Sequence, residues 1–475
     1  MKRIAIIGGG ISGLAAAFAL EAQRRAGAPV EYSLYEASPR LGGVLLTEHV
    51  DGCLIEAGPD SFITEKPWAA DLCRELGLGG QLVGSNDAAR KTYILVNGRL
   101  VPIPDGLMFM VPTRIMPAVF SPLFSMGTKI RLAREWFHPL HNSNGDETVA
   151  AFVQRHYGRE VVERLADPML SGVYGGEASE LSVRAVLPRF ADMEQQHGSL
   201  GRAMIAARRK SAQNNNGPKP PLFTSLKDGM QQLSDALLAR LDRQALRRNA
   251  PVKTLQRQGD GWLVSSGATS EIFNAAIIAV PATAAAPLLQ TASPELAAEL
   301  GAIRYSSSVT VALGYGKDVR SALPPGFGFL VPRREGKRML AATFVHNKFP
   351  HRAPEDRALI RCFFGGTRDE AILNLPDPEV LQIARQELQR ILGITTGPLF
   401  ASVFKWPGSM AQYAVGHLER LERIELLLQQ LPDLALAGNA YRGVGVPDCV
   451  RSGKQAAVRV LQFLSVALSE RATIS

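Results

Sequence analysis

Residues 3–20, RIAIIGGGISGLAAAFAL, followed by residues 30–43, VEYSLYEASPRLGG, decide how this chain folds. A short apolar strand runs into a glycine turn, then an apolar helix, then a second strand that ends on Glu36. A dinucleotide needs that order. Gly8 permits the tight turn, Gly10 lets the backbone approach a pyrophosphate, and Gly13 lets helix pack on strand. The helix that begins near Ser12 aims unsatisfied N–H groups and a positive dipole end at the phosphates. Glu36 stands where a carboxylate accepts hydrogen bonds from ribose hydroxyls. A G-x-G-x-x-G alone is weak; strand, helix and acid together make it specific.

The rest of the chain is organised around this unit. At 475 residues it is long enough for two or three joined domains, and 46% hydrophobic residues supply a large core. Residues 92–104, TYILVNGRLVPIP, predict a hairpin turning at Asn97-Gly98. Residues 105–137 are rich in Met, Phe and Pro, and the prolines break them into short helical pieces. Asn214–Pro221 (NNNGPKPP) reads as an exposed connector. Thereafter the chain returns to the nucleotide unit with a helix in LKDGMQQLSDALLARL and a buried strand in AAIIAVP. A second excursion, from about Pro294 to Ser402, holds strands in SSVTVALGYG, MLAATFVH and LIRCFFGG. The segment 434–464 repeats the opening logic of buried strand, glycine-rich turn and helix. No second G-x-G-x-x-G lies in such a context, so the bound nucleotide works alone and takes electrons from an organic substrate.

Composition excludes several classes. The net charge of +9 is scattered in small groups and only 7% of residues are aromatic, which speaks against nucleic-acid binding. Attraction of an anionic small molecule or lipid is the functional alternative to a plain solvated surface. Cys53, Cys73, Cys362 and Cys449 form no C-x-x-C pair, which argues against zinc and against a disulfide framework, and suits a reducing cytosol. His138 and His141 have Pro139 between them and no adjacent acid or thiol, so no metal is expected. The apolar N-terminus is needed as the first strand and is not read as a signal. No stretch reaches the ~20 apolar residues of a spanning helix. Attachment to one membrane face is still compatible with the Met/Phe/Pro-rich segment, which carries Arg114, Lys129, Arg131 and Arg134.

GGGISGLAAA and YEASPRLGG, with the Arg40-x-Gly42-Gly43 extension, resemble the opening of the FAD-dependent amine oxidase superfamily. Gly58–Lys66 (GPDSFITEK), Asp167–Gly176 (DPMLSGVYGG) and Ala437–Cys449 (AGNAYRGVGVPDC) narrow the resemblance to the porphyrinogen oxidases of haem synthesis, over nearly the whole chain. The resemblance implies an α/β fold. Its Rossmann-type FAD-binding domain, with a parallel sheet, comprises 1–66, 222–293 and 403–475. It is interrupted by a helical substrate or membrane-associated domain with a hairpin (67–221) and a mixed-sheet substrate domain (294–402).

It also implies one non-covalent FAD, which leaves Cys449 as a small buried residue. Gly8, Gly9, Gly10, Ile11, Ser12 and Gly13 would wrap the pyrophosphate, and Glu36 would hold the adenosine ribose. Ala37 and Val44 would line that pocket through their backbones, beside Arg40 and Gly43. Gly58, Pro59, Asp60 and Ser61 would run beside the flavin ring, and Val252 would meet the adenine. Trp406 would pack near the isoalloxazine. Val446, Pro447 and Asp448 would present helix N–H groups to the flavin's pyrimidine end, where reduction places negative charge. The implied reaction removes six electrons from a porphyrinogen in three flavin cycles, with molecular oxygen as acceptor and peroxide as product. Such chemistry asks for a flat apolar cavity with cationic groups at its rim, and no catalytic acid–base pair is nominated.

Lys66 is the expected rim contact to propionates. Thr92-Tyr93 stands where mitochondrial and plant protoporphyrinogen oxidases have Arg-Phe, which removes their carboxylate clamp. Coproporphyrinogen III is therefore the favoured substrate, with Tyr93 beside it, and protoporphyrinogen IX the alternative. Another flavin amine or carotenoid oxidase, or a non-catalytic FAD and porphyrin carrier, are more distant readings. A cytoplasmic location, peripheral membrane contact and hand-over to a ferrochelatase complete the expectations.

Overall fold

The computed structural model describes residues 1–108, 110–112, 115–140, 145–214 and 220–464. Most of the connector at Asn214–Pro221, together with His141 and Arg114, falls outside them. Lys2–Ile7 is the centre of a five-stranded sheet. Val30–Tyr35 and Ala275–Ile278 flank it, with Leu246–Arg247 and Leu434–Leu436 at the edges, and every pairing is parallel. Period-two alternation sorts the core. Ile4 and Ile6 face a layer built by the helices Ile11–Arg25 and Val446–Phe463. Ala5 and Ile7 face the other layer, which holds Trp262 of the antiparallel meander 252–273. A parallel sheet covered on both faces explains why these strands read as continuous apolar runs. Truncation of a fully buried member such as Ile6 to Ala costs about 2–5 kcal/mol.

The second sheet has seven strands, in the order Phe400–Ala411, Tyr305–Gly316, Arg357–Gly365, Ala341–Phe344, Gly328–Leu330, Thr92–Val96 and Arg99–Pro102. Only the contact between Gly328–Leu330 and Thr92–Val96 is parallel. The hairpin turns at Asn97 and Gly98, whose φ values of 50° and 73° give the mirror-image turn that matches strand twist. One face of this sheet packs on the helix Asp377–Leu392. The other face meets the helical unit through Ile94, Val96 and Ala411.

Two domain boundaries need correction. Phe400–Ala411 is a single strand of the seven-stranded sheet, paired with Tyr305–Gly316, so the division at 402/403 cuts through it. The hairpin 92–102 extends the same sheet and does not belong to the helical unit alone. Both pairings join segments far apart in sequence, and local pattern does not report them.

Candidate active site

The glycine turn lies at the carboxyl ends of the parallel strands, where open α/β sheets bind their ligands. Ile11, Ser12 and Gly13 form the first turn of the opening helix, whose N-cap Gly10 supplies no side chain and whose first turn holds no acid. A Cβ added to Gly13 would overlap the carbonyl oxygen of Gly8, so this residue is fixed by helix-on-strand packing. A Cβ on Gly10 would meet no heavy atom within 4 Å, and the space before the helix is open. Glu36 reaches back to this turn: the Gly9 N–H donates to its Oε2 at 2.8 Å, and the Ser38 N–H donates to Oε1 at 2.8 Å. Each oxygen keeps a lone pair for a further donor.

Around Glu36 the loops close in. Ala37 is exposed beside it. Arg40 donates to the carbonyls of Leu45 (2.8 Å), Leu41 (3.2 Å) and Gly43, and so holds the loop that carries Gly43 and Val44. Gly43 comes against Gly10, and the Val44 carbonyl abuts Gly58. The Ala250 N–H donates to the Glu36 carbonyl at 2.8 Å, bringing the segment that starts strand Val252–Gln258 alongside. Thus Gly8 to Gly13, Glu36, Ala37, Arg40, Gly43, Val44, Gly58 and Val252 converge on one region.

A second helix N-terminus joins the first. The closing helix starts at Val446 after Gly445, again without a side-chain cap. A Cβ on its Gly453 would overlap the Ser12 carbonyl, so the two helices touch backbone to backbone, at the start of the first and about two turns into the second. Cys449 lies beside Ser12, buried and unpaired, and desolvation pushes its thiol up to about 12. A neutral thiol of that kind is a packing residue. Val446 and Pro447 are buried, as is Asp448, whose side chain is 3% exposed. Tyr413 fixes the preceding turn: its hydroxyl donates to the Asn439 carbonyl at 2.7 Å and accepts the Gly443 N–H at 2.9 Å.

Lys66 is bound into this centre. Its Nζ donates to Asp448 Oδ2 at 2.6 Å, and Arg451, stacked 4.1 Å from the Trp68 ring, lies 3.5 Å from Asp448 Oδ1. Lys66, expected as a lone rim cation, is therefore an ion-pair partner at the helix start, with its side chain 40% exposed. Arg451 was not anticipated. Its i,i+3 spacing from Asp448 was a usable signal.

Gly58, Pro59, Asp60 and Ser61 follow the buried strand Cys53–Glu56. Ser61 Oγ donates to Asp60 Oδ1 at 2.7 Å, and Lys348 Nζ donates to both Asp60 oxygens at 3.0 and 2.9 Å. Burial pushes the Asp60 carboxyl up, but Lys348, Arg361 and Arg352 outweigh it and hold it well below the ordinary range. Trp406 donates its Nε1–H to the Ala57 carbonyl at 2.9 Å, so its ring is anchored to the start of this segment.

Tyr93 needs correction as a substrate contact. It is buried in the layer under Asp377–Leu392, on the face opposite Ile94 and Val96, and its hydroxyl donates to the Pro325 carbonyl at 2.8 Å. Strand alternation turns it away from the helical unit. His138 stacks on His156 (ring centroids 4.3 Å), and His138, His156 and Glu194 bring donor atoms within 4.8 Å of one another. His156, however, uses both ring nitrogens on Glu135 (3.2 Å) and Glu194 (2.9 Å), and Glu194 also receives Arg155. These groups form a buried ionic cluster with each other.

Two uncapped helix N-termini, a ribose-type acid and open space at Gly10 fit a dinucleotide cofactor. Residues 11–461 match the model of the family described as flavin containing amine oxidoreductase. The coproporphyrinogen III oxidase of Bacillus subtilis (strain 168) is 36% identical over 470 residues, covering 98% of this chain and 98% of that protein. Chloroplastic protoporphyrinogen oxidase 1 of Arabidopsis thaliana is 31% identical over 483 residues, covering 97% of this chain and 88% of that protein. A crystal structure of a candidate protoporphyrinogen oxidase from Exiguobacterium sp. 255-15 has a TM-score of 0.87 at 31% identity, covering 97% of this chain and 99% of that one. The chain belongs to the flavin containing amine oxidoreductase family.

Proposed function

We propose that this protein is an FAD-dependent oxidase that converts coproporphyrinogen III to coproporphyrin III. The observation that carries the reading is the end-to-end likeness to the Bacillus subtilis coproporphyrinogen III oxidase, 36% identical over 98% of both chains. The likeness to the plant protoporphyrinogen oxidase is lower and leaves part of that protein unmatched. FAD held without a covalent bond is favoured by two observations: Cys449 is buried against Ser12, and the open space lies before a helix N-terminus suited to a pyrophosphate.

A bound flavin supplies a two-electron acceptor that oxygen regenerates, so a six-electron oxidation takes three turns. The chain's own residues bind and orient. The N–H groups of Ile11 to Gly13 receive phosphate oxygens, and the free lone pairs of Glu36 receive ribose hydroxyls. The N–H groups of Val446 and Asp448 favour negative charge placed before the closing helix, while Lys66 and Arg451 offset the charge of Asp448 beside them. Trp406, tethered to Ala57, fixes one wall against the Gly58–Ser61 segment.

Oxygen as the acceptor, a cytoplasmic location and hand-over of the porphyrin to a ferrochelatase belong to the same proposal. So does peripheral membrane contact. Among the described residues no helix is long and apolar enough to cross a membrane. Yet Met116, Phe120, Met126, Ile130 and Phe137 are 62%, 76%, 68%, 55% and 80% exposed, interleaved with Lys129, Arg131 and Arg134. Apolar side chains set among cations suit an anionic lipid face.

Turnover followed by porphyrin fluorescence, compared between coproporphyrinogen III and protoporphyrinogen IX, tests the substrate. Faster turnover of protoporphyrinogen IX refutes the preference. Anaerobic addition of either substrate should bleach the flavin band; porphyrin binding without bleaching would make the protein a carrier.

A further inference from the structure

Ala57 to Ser61, the strap that follows the buried strand Cys53–Glu56, has its oxygen atoms gripped from behind. Arg361 donates Nη2 to the carbonyl of Gly58 and, at 3.4 Å, to that of Ala57. The Trp406 Nε1–H gives the Ala57 carbonyl a second bond, at 2.9 Å. The Asp60 carbonyl accepts from Arg352 Nη2 at 3.0 Å and from Ser225 Oγ at 2.8 Å. Lys348 Nζ donates to both Asp60 carboxylate oxygens, at 3.0 and 2.9 Å, and to Ser61 Oγ at 3.2 Å.

The grip comes from another part of the chain. Arg361 lies on the strand Arg357–Gly365 of the seven-stranded sheet, and Lys348 and Arg352 lie on the connection that leads into it from Ala341–Phe344. Each of the three is 9% exposed or less, so no water stands ready to replace a bond that is lost. A donor and a carbonyl parted inside the protein would both go unmet, which keeps the strap in this orientation.

Peptide geometry decides what the other face of the strap presents. In a planar trans peptide the C=O and the N–H point opposite ways. The Ala57 carbonyl turned to Arg361 therefore turns the Gly58 N–H away, and the Asp60 carbonyl turned to Arg352 does the same for the Ser61 N–H. Neither N–H has an acceptor among the described residues. Gly58 to Ser61 are partly exposed although their oxygens are engaged inside, so the open face is the N–H face. Gly58 abuts the Val44 carbonyl and Gly43 comes against Gly10, so the strap borders the glycine turn. We propose that Arg361, supported by Arg352 and Lys348, is a positioning residue of the oxidase, which holds the strap's oxygens to the rear so that the Gly58 and Ser61 N–H groups face the flavin. The inference rests on the assignment of FAD as cofactor. N–H dipoles fixed in advance favour the negative charge that reduction adds, without reorganisation when it arrives; a carbonyl turned the same way would oppose it.

Two measurements on the whole protein test this. Flavin-stripped protein is titrated with FAD, and loaded protein is reduced in equilibrium with a reference dye. Arg361→Met frees the Gly58 carbonyl to turn outward. It should bind oxidised FAD close to wild-type strength but hold the reduced form roughly tenfold more weakly, which is a midpoint potential about 30 mV lower. Arg361→Lys keeps a donor for that carbonyl and should recover part of the shift. A purely structural Arg361 would lower the unfolding midpoint and leave the potential alone, so a folded Arg361→Met with the wild-type potential overturns the inference. Should Arg361→Met fail to fold, Ser225→Ala removes one of the two donors to the Asp60 carbonyl and should shift the potential the same way by less. No shift in that variant overturns the inference as well. Wild-type protein that takes up no FAD overturns the cofactor assignment and this inference with it, whereas equal potentials in loaded wild type and variant overturn the inference alone.

Discussion

Gly10→Ala separates the needs of the cofactor from the needs of the fold. Gly10 has φ −73° and ψ −178°, extended backbone that alanine adopts freely, and its added methyl would meet no heavy atom within 4 Å. The protein without cofactor should therefore tolerate the change. Reduced freedom of the unfolded chain should even stabilise it by about 0.4–1 kcal/mol. The same methyl protrudes into the space before the opening helix, where a pyrophosphate oxygen has to approach the backbone. Loss of one hydrogen bond to a charged group is worth about 1.5–3 kcal/mol, or roughly 10- to 150-fold in affinity. The assay is a pair of measurements on flavin-stripped protein: urea unfolding, and titration with FAD followed by fluorescence quenching. Weaker FAD binding with unchanged or raised stability is the expected pair. FAD binding at wild-type strength would refute the placement of the pyrophosphate. A loss of more than about 1 kcal/mol in the stripped protein would refute the claim that Gly10 is free of packing. Gly13→Ala is the contrast, since its methyl collides with the Gly8 carbonyl and should damage the stripped protein itself.

Lys66→Met leaves Asp448 with Arg451 at 3.5 Å as its remaining cation; with Lys66 partly exposed, the stability loss should be about 1 kcal/mol, and the flavin midpoint potential, read by dye-equilibrated reduction, should fall. An unchanged potential would remove the pair from the cofactor's surroundings. Tyr93→Phe deletes one buried hydrogen bond, so unfolding should cost about 0.5–1.5 kcal/mol less while KM for the porphyrinogen stays constant. Burial pulls the His156 imidazole down, but the hydrogen bonds its ring donates to Glu135 and Glu194 outweigh it and raise it above the ordinary value. Its stabilising contribution is full below the unfolded value and fades as pH climbs through the raised folded one. Thermal melts should thus lose midpoint as pH rises past the ordinary imidazole value, and His156→Leu, about 3–5 kcal/mol less stable, should lose that slope.

What the sequence revealed was local. The glycine turn, its helix and Glu36 lie within thirty residues, and their chemistry is written in their spacing. The hairpin at Asn97-Gly98 was equally readable, because two residues with positive φ specify it. Tyr93 was misread for a reason of geometry. Alternation tells that neighbours face opposite ways, but not which face carries the helical unit and which carries Asp377–Leu392. Lys66 looked like a free cation since its partner, Asp448, lies 382 positions away. Lys348 and Arg352, in VHNKFPHR, have the look of a solvated basic run, and only the return of Glu56 and Asp60 from the other end of the chain makes them interior. Strand Phe400–Ala411 overran its expected boundary because a sheet edge is defined by pairing and leaves no mark in composition.

The backbone contact between Ser12 and Gly453 has a consequence for how the protein is made. The ribosome completes the first nucleotide-binding turn long before the helix that packs on it, Val446–Phe463, emerges. Until then the parallel sheet lacks its Leu434–Leu436 border and the opening helix has a bare flank. A chain truncated before Leu434 should therefore fail to hold flavin even when flavin is added.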